Sequence, residues 1–430
     1  MIGFITQEPE KKKRFETPKG KDLIILSEDA VFAPGEGGAN SNCAIIGSTG
    51  SGKSFSVGIP HLLHAEDESL VVPVAKRKIV DQITPLLKSR GYTIWDLNMS
   101  HPEHSSIGYD PCKSIKDGED MLDLAAAIVG GPSKSLDSSD DPFWGEATQN
   151  LIAAIFGLCE YQGDLSMRHA IEVYNELEIS YPNGHARTTL DEDFEEIGCV
   201  DPDNQAPRLW STIVGCASKT ASCLKTILNN SFGRMCCDYG KSLFCKPSKK
   251  MIDLKELGKK KIALFITTST SPMCQKISKM LYADLIKQLF NEAEAQGGEL
   301  KVPVHIMFDD FCTSRVANFA EYVSIFRAAR ISCTILLQSL DQLSGLYGPH
   351  YANVIMDNMD NLCFLGSLNY DTCAEFAKRA GMSVEEVLNM PVGDAIVSRR
   401  GWGTRYSRRY PTPEDDVYKK YIAEPDQVRE

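Results

Sequence analysis

The sequence has no run of 18 or more apolar residues, no CxxC pair and no surplus of basic side chains. The first absence excludes a hydrophobic membrane-spanning helix. The basic run Lys11-Lys12-Lys13-Arg14 has no apolar core after it, so it does not read as a signal peptide, and four charges in a polar tail read as solvated rather than as a lipid anchor. Fourteen cysteines stand at irregular spacings, mostly inside apolar stretches such as Asn42-Cys43-Ala44 and Ser332-Cys333-Thr334. That pattern excludes a disulfide framework and points to a reduced, cytosolic interior. Cys236-Cys237 with Cys245 lacks both the spacing and the nearby histidine of a zinc site. With 46 basic against 58 acidic residues the formal charge is -12, which excludes a general basic coat for nucleic acid, so any DNA contact must be local. Internal repeats are also missing, which excludes a solenoid.

What is present is an ordinary globular composition, 43% hydrophobic and 24% charged over 430 residues, enough for one large core and a second domain. Asn42 to Ile46 reads as a short buried strand, followed by a Gly and Ser loop and a helix through His64. A strand at Leu70–Val74, a helix at Lys78–Ser89 and a strand at Tyr92–Trp95 continue the alternation of a parallel sheet covered by helices. From about Asp117 to Cys245 the period becomes helical, with stretches at Met121–Val129, Trp144–Glu160 and Thr212–Leu228. Alternation resumes with strands at Ile262–Ile266, Val304–Phe308 and Cys333–Leu337 and helices at Cys274–Gln296 and Phe319–Ala329. The expected organisation is an α/β nucleotide-binding domain with an inserted all-α domain. A polar tail covers 1–20, the first part of the nucleotide-binding domain 21–116, the insert 117–248, the second part 249–413 and a charged, fraying tail 414–430.

The stretch Gly47-Ser48-Thr49-Gly50-Ser51-Gly52-Lys53-Ser54 matches GxxxxGK[ST] at every fixed position and lies between a predicted strand and a predicted helix. Glycines let backbone N–H groups turn inward around phosphates, and the helix start adds its positive end. Lys53 should reach the β and γ phosphates of ATP, and the Ser54 hydroxyl should coordinate Mg2+. A carboxylate must also hold magnesium and orient water. Asp309 follows a strand in which four of five residues are apolar, so it sits at a strand's carboxyl end, where ligands of open α/β sheets bind. Asp309 is the expected magnesium-side acid and Asp310 the base or water-positioning residue. Gln338 ends the last predicted strand, where it either senses the γ phosphate or bonds only to backbone. Arg327 and Arg330, on the helix before it, either reach a neighbouring subunit's phosphate in a ring or are ordinary surface arginines.

The densest basic stretch holds Arg399, Arg400, Arg405, Arg408 and Arg409 interleaved with Trp402, Tyr406 and Tyr410. Arginines for phosphates and aromatics for bases suit a single-strand groove. The competing reading is a surface β-hairpin whose arginines pair with acids. His61 and His64, spaced i and i+3, read as packing or surface residues.

In their order these signals resemble the type IV secretion coupling proteins, the TraG/TraD-like conjugation ATPases of the RecA-like and FtsK/HerA superfamily, over residues 40 to 410. The most specific stretches are Asn42 to Ser54, Asp141-Pro142-Phe143-Trp144 opening the insert, and Phe308 to Gly348. The resemblance implies a hexameric, ATP- and Mg2+-dependent motor. It implies DNA, single- or double-stranded and without sequence preference, as partner, together with a relaxase or another secretion substrate and the channel components. Without the amino-terminal membrane helices usual in that family, the chain reads either as a cytoplasmic member docked through a partner at the inner face of the membrane or as one from which those helices have been removed. Four departures qualify the resemblance. Asp310 stands where the family usually has Glu, a carboxylate set back by about 1 Å, which can cost on the order of 100-fold in rate. Val74-Ala75-Lys76 replaces Asp-x-Lys, Asp110-Pro111 replaces Asn-Pro, and the family's amino-terminal membrane helices are missing. Two other expectations stay open: a nucleotide-binding receptor with little hydrolysis, and an FtsK- or HerA-like DNA translocase.

Overall fold

The computed structural model describes residues 15–74, 77–129, 142–236, 238–244, 250–309, 311–313 and 315–423. Asp310, Asp141, Ala75, Lys76, Cys237, Cys245 and the basic run at 11–14 lie outside the described residues. In chain order the strands are β1 (Ile24–Ile25), β2 (Val31–Phe32), β3 (Cys43–Ile46), β4 (Ser69–Val74), β5 (Thr93–Asn98), β6 (Ile179–Ser180), β7 (Arg187–Thr188), β8 (Ile262–Thr267), β9 (Val304–Phe308), β10 (Ile331–Leu337), β11 (Asn361–Phe364), β12 (Asp394–Arg399) and β13 (Gly403–Arg408). β1 pairs with β2 and β6 with β7, each antiparallel, while the others form one nine-stranded sheet in the order β13-β12-β11-β3-β10-β9-β4-β8-β5. From β11 to β5 every neighbouring pair is parallel, and β12 and β13 add an antiparallel hairpin at one edge.

A parallel strand with helices on both faces has no polar side, and β8 reads Ile-Ala-Leu-Phe-Ile-Thr with all six residues buried. Alternation distributes its neighbours' side chains between two layers. Ala44, Ile46, Val71, Leu264, Ile306 and Phe308 enter the core that continues into the insert and the long helix Pro272–Ala295. On the other face Leu70, Val72, Phe265 and Met307 meet Leu62, Leu63, Ile83 and Leu87 from the helices Ile59–His64 and Lys78–Ser89. Each such side chain contributes about 1.5–3 kcal/mol by leaving water.

The chain between β5 and β8 is helical, with segments at Gly118–Val129, Pro142–Tyr161, Met167–Glu176, Asp191–Val200, Gln205–Trp210, Ser218–Ser231 and Asp238–Phe244, apart from the small β6–β7 pair. Its two ends are tied together. Gly108 N donates to Lys250 O and Ile252 N donates to Gly108 O, each at 3.0 Å. Asp110, the residue that replaces the family's asparagine, caps the turn Pro111–Ser114 by accepting from Cys112 N and also accepts from Met167 N, which anchors the insert to the sheet domain.

At the same junction Tyr109 OH donates to Asp284 Oδ2 on the helix Pro272–Ala295 at 3.1 Å. Burial raises the Asp284 carboxyl to about 6. An unfolded aspartate titrates near 3.9, so between about pH 4 and pH 6 the folded chain holds a proton that the unfolded chain has released. Asp284 therefore removes stability as pH rises through that window, on the order of 3 kcal/mol once complete. Asp284→Asn should be more stable than the parent above pH 6 and converge with it near pH 4 in urea denaturation. A difference that stays constant with pH would rule this cost out.

Three elements differ from the sequence pattern. The helix predicted from Thr212 begins only at Ser218, because Gly215 takes a positive φ of 76°. The helix predicted to run to Ala329 ends at Ile325, and Arg330, at φ 59°, turns the chain into β10. Its guanidinium donates to Leu300 O and Lys301 O, so Arg330 is a local clamp. The tail does not fray through 423. Asp415 is fully buried, and Ile422 packs beside the helix Lys78–Ser89, where Gln82 Nε2 donates to Ile422 O at 3.1 Å.

Candidate functional site

The loop 47–53 leaves β3 at the carboxyl edge of the sheet. Gly50 and Gly52 adopt φ of 79° and 82°, which side chains with a Cβ rarely tolerate. A Cβ at Gly47 would lie 2.5 Å from Ser51 Oγ and 3.2 Å from Leu365 Cβ, so that position is closed to any larger residue. The loop is fixed to the strands on both sides of β3. Gly47 N donates to Leu337 O, and Ser48 N donates to Gly366 O, each at 3.0 Å. Lys53 Nζ donates to Gly47 O at 2.6 Å and Ser48 O at 3.2 Å, which places its ammonium inside the loop's concavity. Ser51 Oγ is buried with no hydrogen-bond partner among the described residues. A concave ring of backbone, a lysine and an orphan hydroxyl fit a phosphate group. The helix beyond begins as a π turn, Ser54–Gly58, before Ile59–His64, a distortion frequent at functional sites.

Sheet order brings the other predicted residues to this edge. β3, β10 and β9 are consecutive and parallel, with Ile46 opposite Leu337 and Ile335 opposite Phe308. Gly47 and Gln338, each the residue immediately after its strand, therefore leave the sheet level with each other, and Asp309, which follows Phe308, leaves the same edge two residues earlier, level with Leu336. Gln338 is half-buried and its Oε1 accepts from Gln342 Nε2 at 3.3 Å, while Ser339 caps the next helix. Asp309 is half-buried beside Tyr282, whose hydroxyl is pushed up by burial and by the Asp309 charge.

The basic stretch folds as the β12–β13 hairpin and splits in two. Arg400, Arg405 and Arg408 are exposed, and Arg405 lies 4.1 Å over the Trp402 ring. Arg399 is 4% exposed, donates to Asn361 Oδ1 and Glu36 O, and stacks 4.2 Å over Phe32. Arg399 is therefore a structural residue and not a DNA contact. The reason is alternation, since Ala395, Val397 and Arg399 share the face of β12 that packs inward. Arg409 is also committed inside the protein. It donates from Nη1 to Ser51 O in the phosphate loop, from Nη2 to Leu365 O at 2.7 Å and from Nε to Asp394 O at 3.2 Å. This second clamp on the loop carries no sequence signal, because 358 residues separate its partners. Arg327, exposed in the turns after Ile325, donates to Gly38 O at 2.9 Å.

Both helix histidines are buried in polar company. His64 Nε2 lies 2.9 Å from Asp415 Oδ2, which also accepts from Tyr410 OH. His61 Nε2 lies 2.7 Å from Glu68 Oε1, and its ring centre is 4.1 Å from that of His305 on β9. Neither arrangement was visible in the i, i+3 spacing, since the partners come from distant segments.

The family model described as type IV secretory system conjugative DNA transfer matches residues 3–390. No curated protein matches the chain. Solved structures with the same fold include the bacterial conjugative coupling protein TrwB lacking its N-terminal 70 residues, in a trigonal form with sulphate. It is 14% identical, with 91% of this chain and 90% of that chain covered and a TM-score of 0.60. The plasmid coupling protein TrwB in complex with ADP and Mg2+ is 14% identical over 86% of this chain and 85% of that one, with a TM-score of 0.57. VirB4 of Thermoanaerobacter pseudethanolicus is 12% identical over 94% of this chain and 100% of that one, with a TM-score of 0.54. Among the described residues no helix is long and apolar enough to cross a membrane. With a phosphate loop at the edge of a mostly parallel sheet, a helical insert and a family match spanning nine-tenths of its length, the chain belongs to the type IV secretory system conjugative DNA transfer family.

Proposed function

We propose that the chain binds ATP with Mg2+ at the 47–54 loop, hydrolyses it, and uses the cycle to recruit or pump DNA, or a relaxase bound to DNA, to a type IV secretion channel. The observation that carries this reading is the adjacency of β3, β10 and β9, which delivers the phosphate loop, Gln338 and Asp309 to one edge. Gly47, Ser48, Thr49, Gly50, Ser51 and Gly52 would wrap the phosphates with backbone N–H groups. Lys53 would hold the β and γ phosphates, and Ser54 and Asp309 would hold the magnesium. A magnesium held there would supply positive charge against the charge developing on the phosphate oxygens. Asp310 would align water, Gln338 would report the γ phosphate, and Arg327, from the surface, would act on a neighbour's nucleotide in a hexamer. The TrwB complex with ADP and Mg2+, on the same fold, supports the choice of ligand. Absence of membrane-length helices among the described residues fits docking at the membrane through a partner. Asp310 and Val74 favour a second reading, a nucleotide-bound receptor with little turnover.

The test is the steady-state ATPase rate across protein concentration, with and without single-stranded DNA. Turnover that rises with both supports the motor, and binding without turnover under every condition selects the receptor. For DNA, Arg400, Arg405 and Arg408 are the accessible cations of the hairpin. Each phosphate contact on a single strand adds about 0.7 to the salt slope of binding. Replacing the three by alanine should lower that slope by about 2 in fluorescence anisotropy titrations, and an unchanged slope would place the DNA elsewhere.

A further inference from the structure

Four residues of strand, roughly 13 Å at 3.3 Å per residue, separate His305 from Asp309. Around His305, between the sheet and the helix that follows the phosphate loop, three side chains converge from three elements. His61 comes from the helix Ile59–His64, Glu68 from the residue before β4, and His305 from β9. They are 6%, 6% and 1% exposed, and one donor atom from each lies within 4.8 Å of the others. It is the one such group among the described residues.

We propose that His61, Glu68 and His305 form a buried binding site for a divalent transition metal, with Zn2+ as its occupant. This is independent of the nucleotide reading. Two imidazoles and one carboxylate are a donor set for zinc and poorly suited to magnesium or calcium, which take oxygen ligands. Ligands about 2.0–2.2 Å from a tetrahedral ion stand roughly 3.3 Å apart, so the three groups need only small side-chain rotations to close on one centre.

Two further observations point to a ligand. His61 Nε2 and Glu68 Oε1 face each other at 2.7 Å as a buried pair, and neither atom has another partner among the described residues. An ion would replace that single contact with a bond to each atom. The His305 ring is also held from behind, as metal-bound histidines are. Ser332 Oγ lies 2.7 Å from His305 Nδ1 and Thr334 Oγ1 lies 2.9 Å from Nε2. Ser332 would keep the ring oriented, and the Thr334 hydroxyl, which rotates freely, would yield Nε2 to the ion. So filled, the site would join the helix after the phosphate loop to the strand that leads into Asp309.

The test uses the full chain, stripped with a chelator and reloaded with Zn2+ or Co2+ alone. Mass spectrometry should find close to one zinc per chain after gel filtration. Cobalt should give the visible d–d absorption of a four- or five-coordinate site without the near-ultraviolet thiolate band that binding at the cysteines would produce. Glu68→Gln, which keeps the shape of the side chain, and His61→Gln should each weaken zinc binding about 10- to 100-fold or more. If His61→Gln fails to fold, the isosteric Glu68→Gln carries the comparison. Zinc below one-tenth per chain, a thiolate band, or equal retention by a folded Glu68→Gln chain would overturn the proposal and leave a His61–Glu68 ion pair stacked on His305.

Discussion

Lys53→Ala is expected to bind ATP on the order of 100- to 10,000-fold more weakly than the parent and to release no phosphate above background. The ammonium is held inside the loop by Gly47 O and Ser48 O, at the end of a turn in which Gly50 and Gly52 take positive φ. Charge-assisted hydrogen bonds contribute about 1.5–3 kcal/mol each, and the lysine is expected to make two, to the β and γ phosphates. The loop's shape does not depend on it, since Gly47 N, Ser48 N and Ser51 O are fixed by Leu337, Gly366 and Arg409. The thermal midpoint of the variant should therefore stay near that of the parent, which separates a lost ligand contact from a lost fold. Fluorescent-nucleotide titration with phosphate release measures the effect, and parental turnover in the variant would remove this loop from the chemistry.

Asp310→Glu should act in the opposite direction. In the proposed mechanism Asp310 aligns the attacking water, and its side chain is one carbon shorter than the glutamate usual in the family. Restoring about 1 Å is expected to raise turnover by up to about 100-fold while nucleotide affinity changes little, because the gain lies in the transition state. Single-turnover hydrolysis at saturating ATP is the measurement. An unchanged rate would mean that another group orients the water and would strengthen the receptor reading.

Much of this architecture was legible because it is local. The phosphate loop is a fixed spacing of residues whose backbone demands can be read one by one, and β9 and the helix Lys78–Ser89 were predicted at their observed bounds. Buried parallel strands announce themselves as short apolar runs. β11 does not, because Asn361-Leu362-Cys363-Phe364 opens with a polar residue, a buried asparagine whose Nδ2 donates to Asn40 O and Asn42 O. Arg399 was misread for a related reason. Composition showed a basic, aromatic-rich stretch, and only the period-2 register of a strand separates an inward Arg399 from an outward Arg400. What was illegible is long-range. Arg409 on the phosphate loop and His305 beside His61 bring together residues hundreds of positions apart, and no pattern within either segment records the partner.

The strand order has a consequence for how the chain can be made. β3, β4 and β5 are synthesised first, yet none neighbours another. β3 lies between β11 and β10, β4 between β9 and β8, and β5 against β8 alone. A nascent chain that ends before residue 262 thus holds three apolar ribbons and not one pairing of the main sheet. At roughly 5–20 residues per second, the segment from β5 to β8 alone takes about 8 to 30 s to emerge. Helices form from local contacts, so the insert can condense in that interval while the ribbons wait. The phosphate loop, encoded in the first eighth of the sequence, is among the last parts to take shape, because Gly366 and Arg409 must arrive before its walls exist.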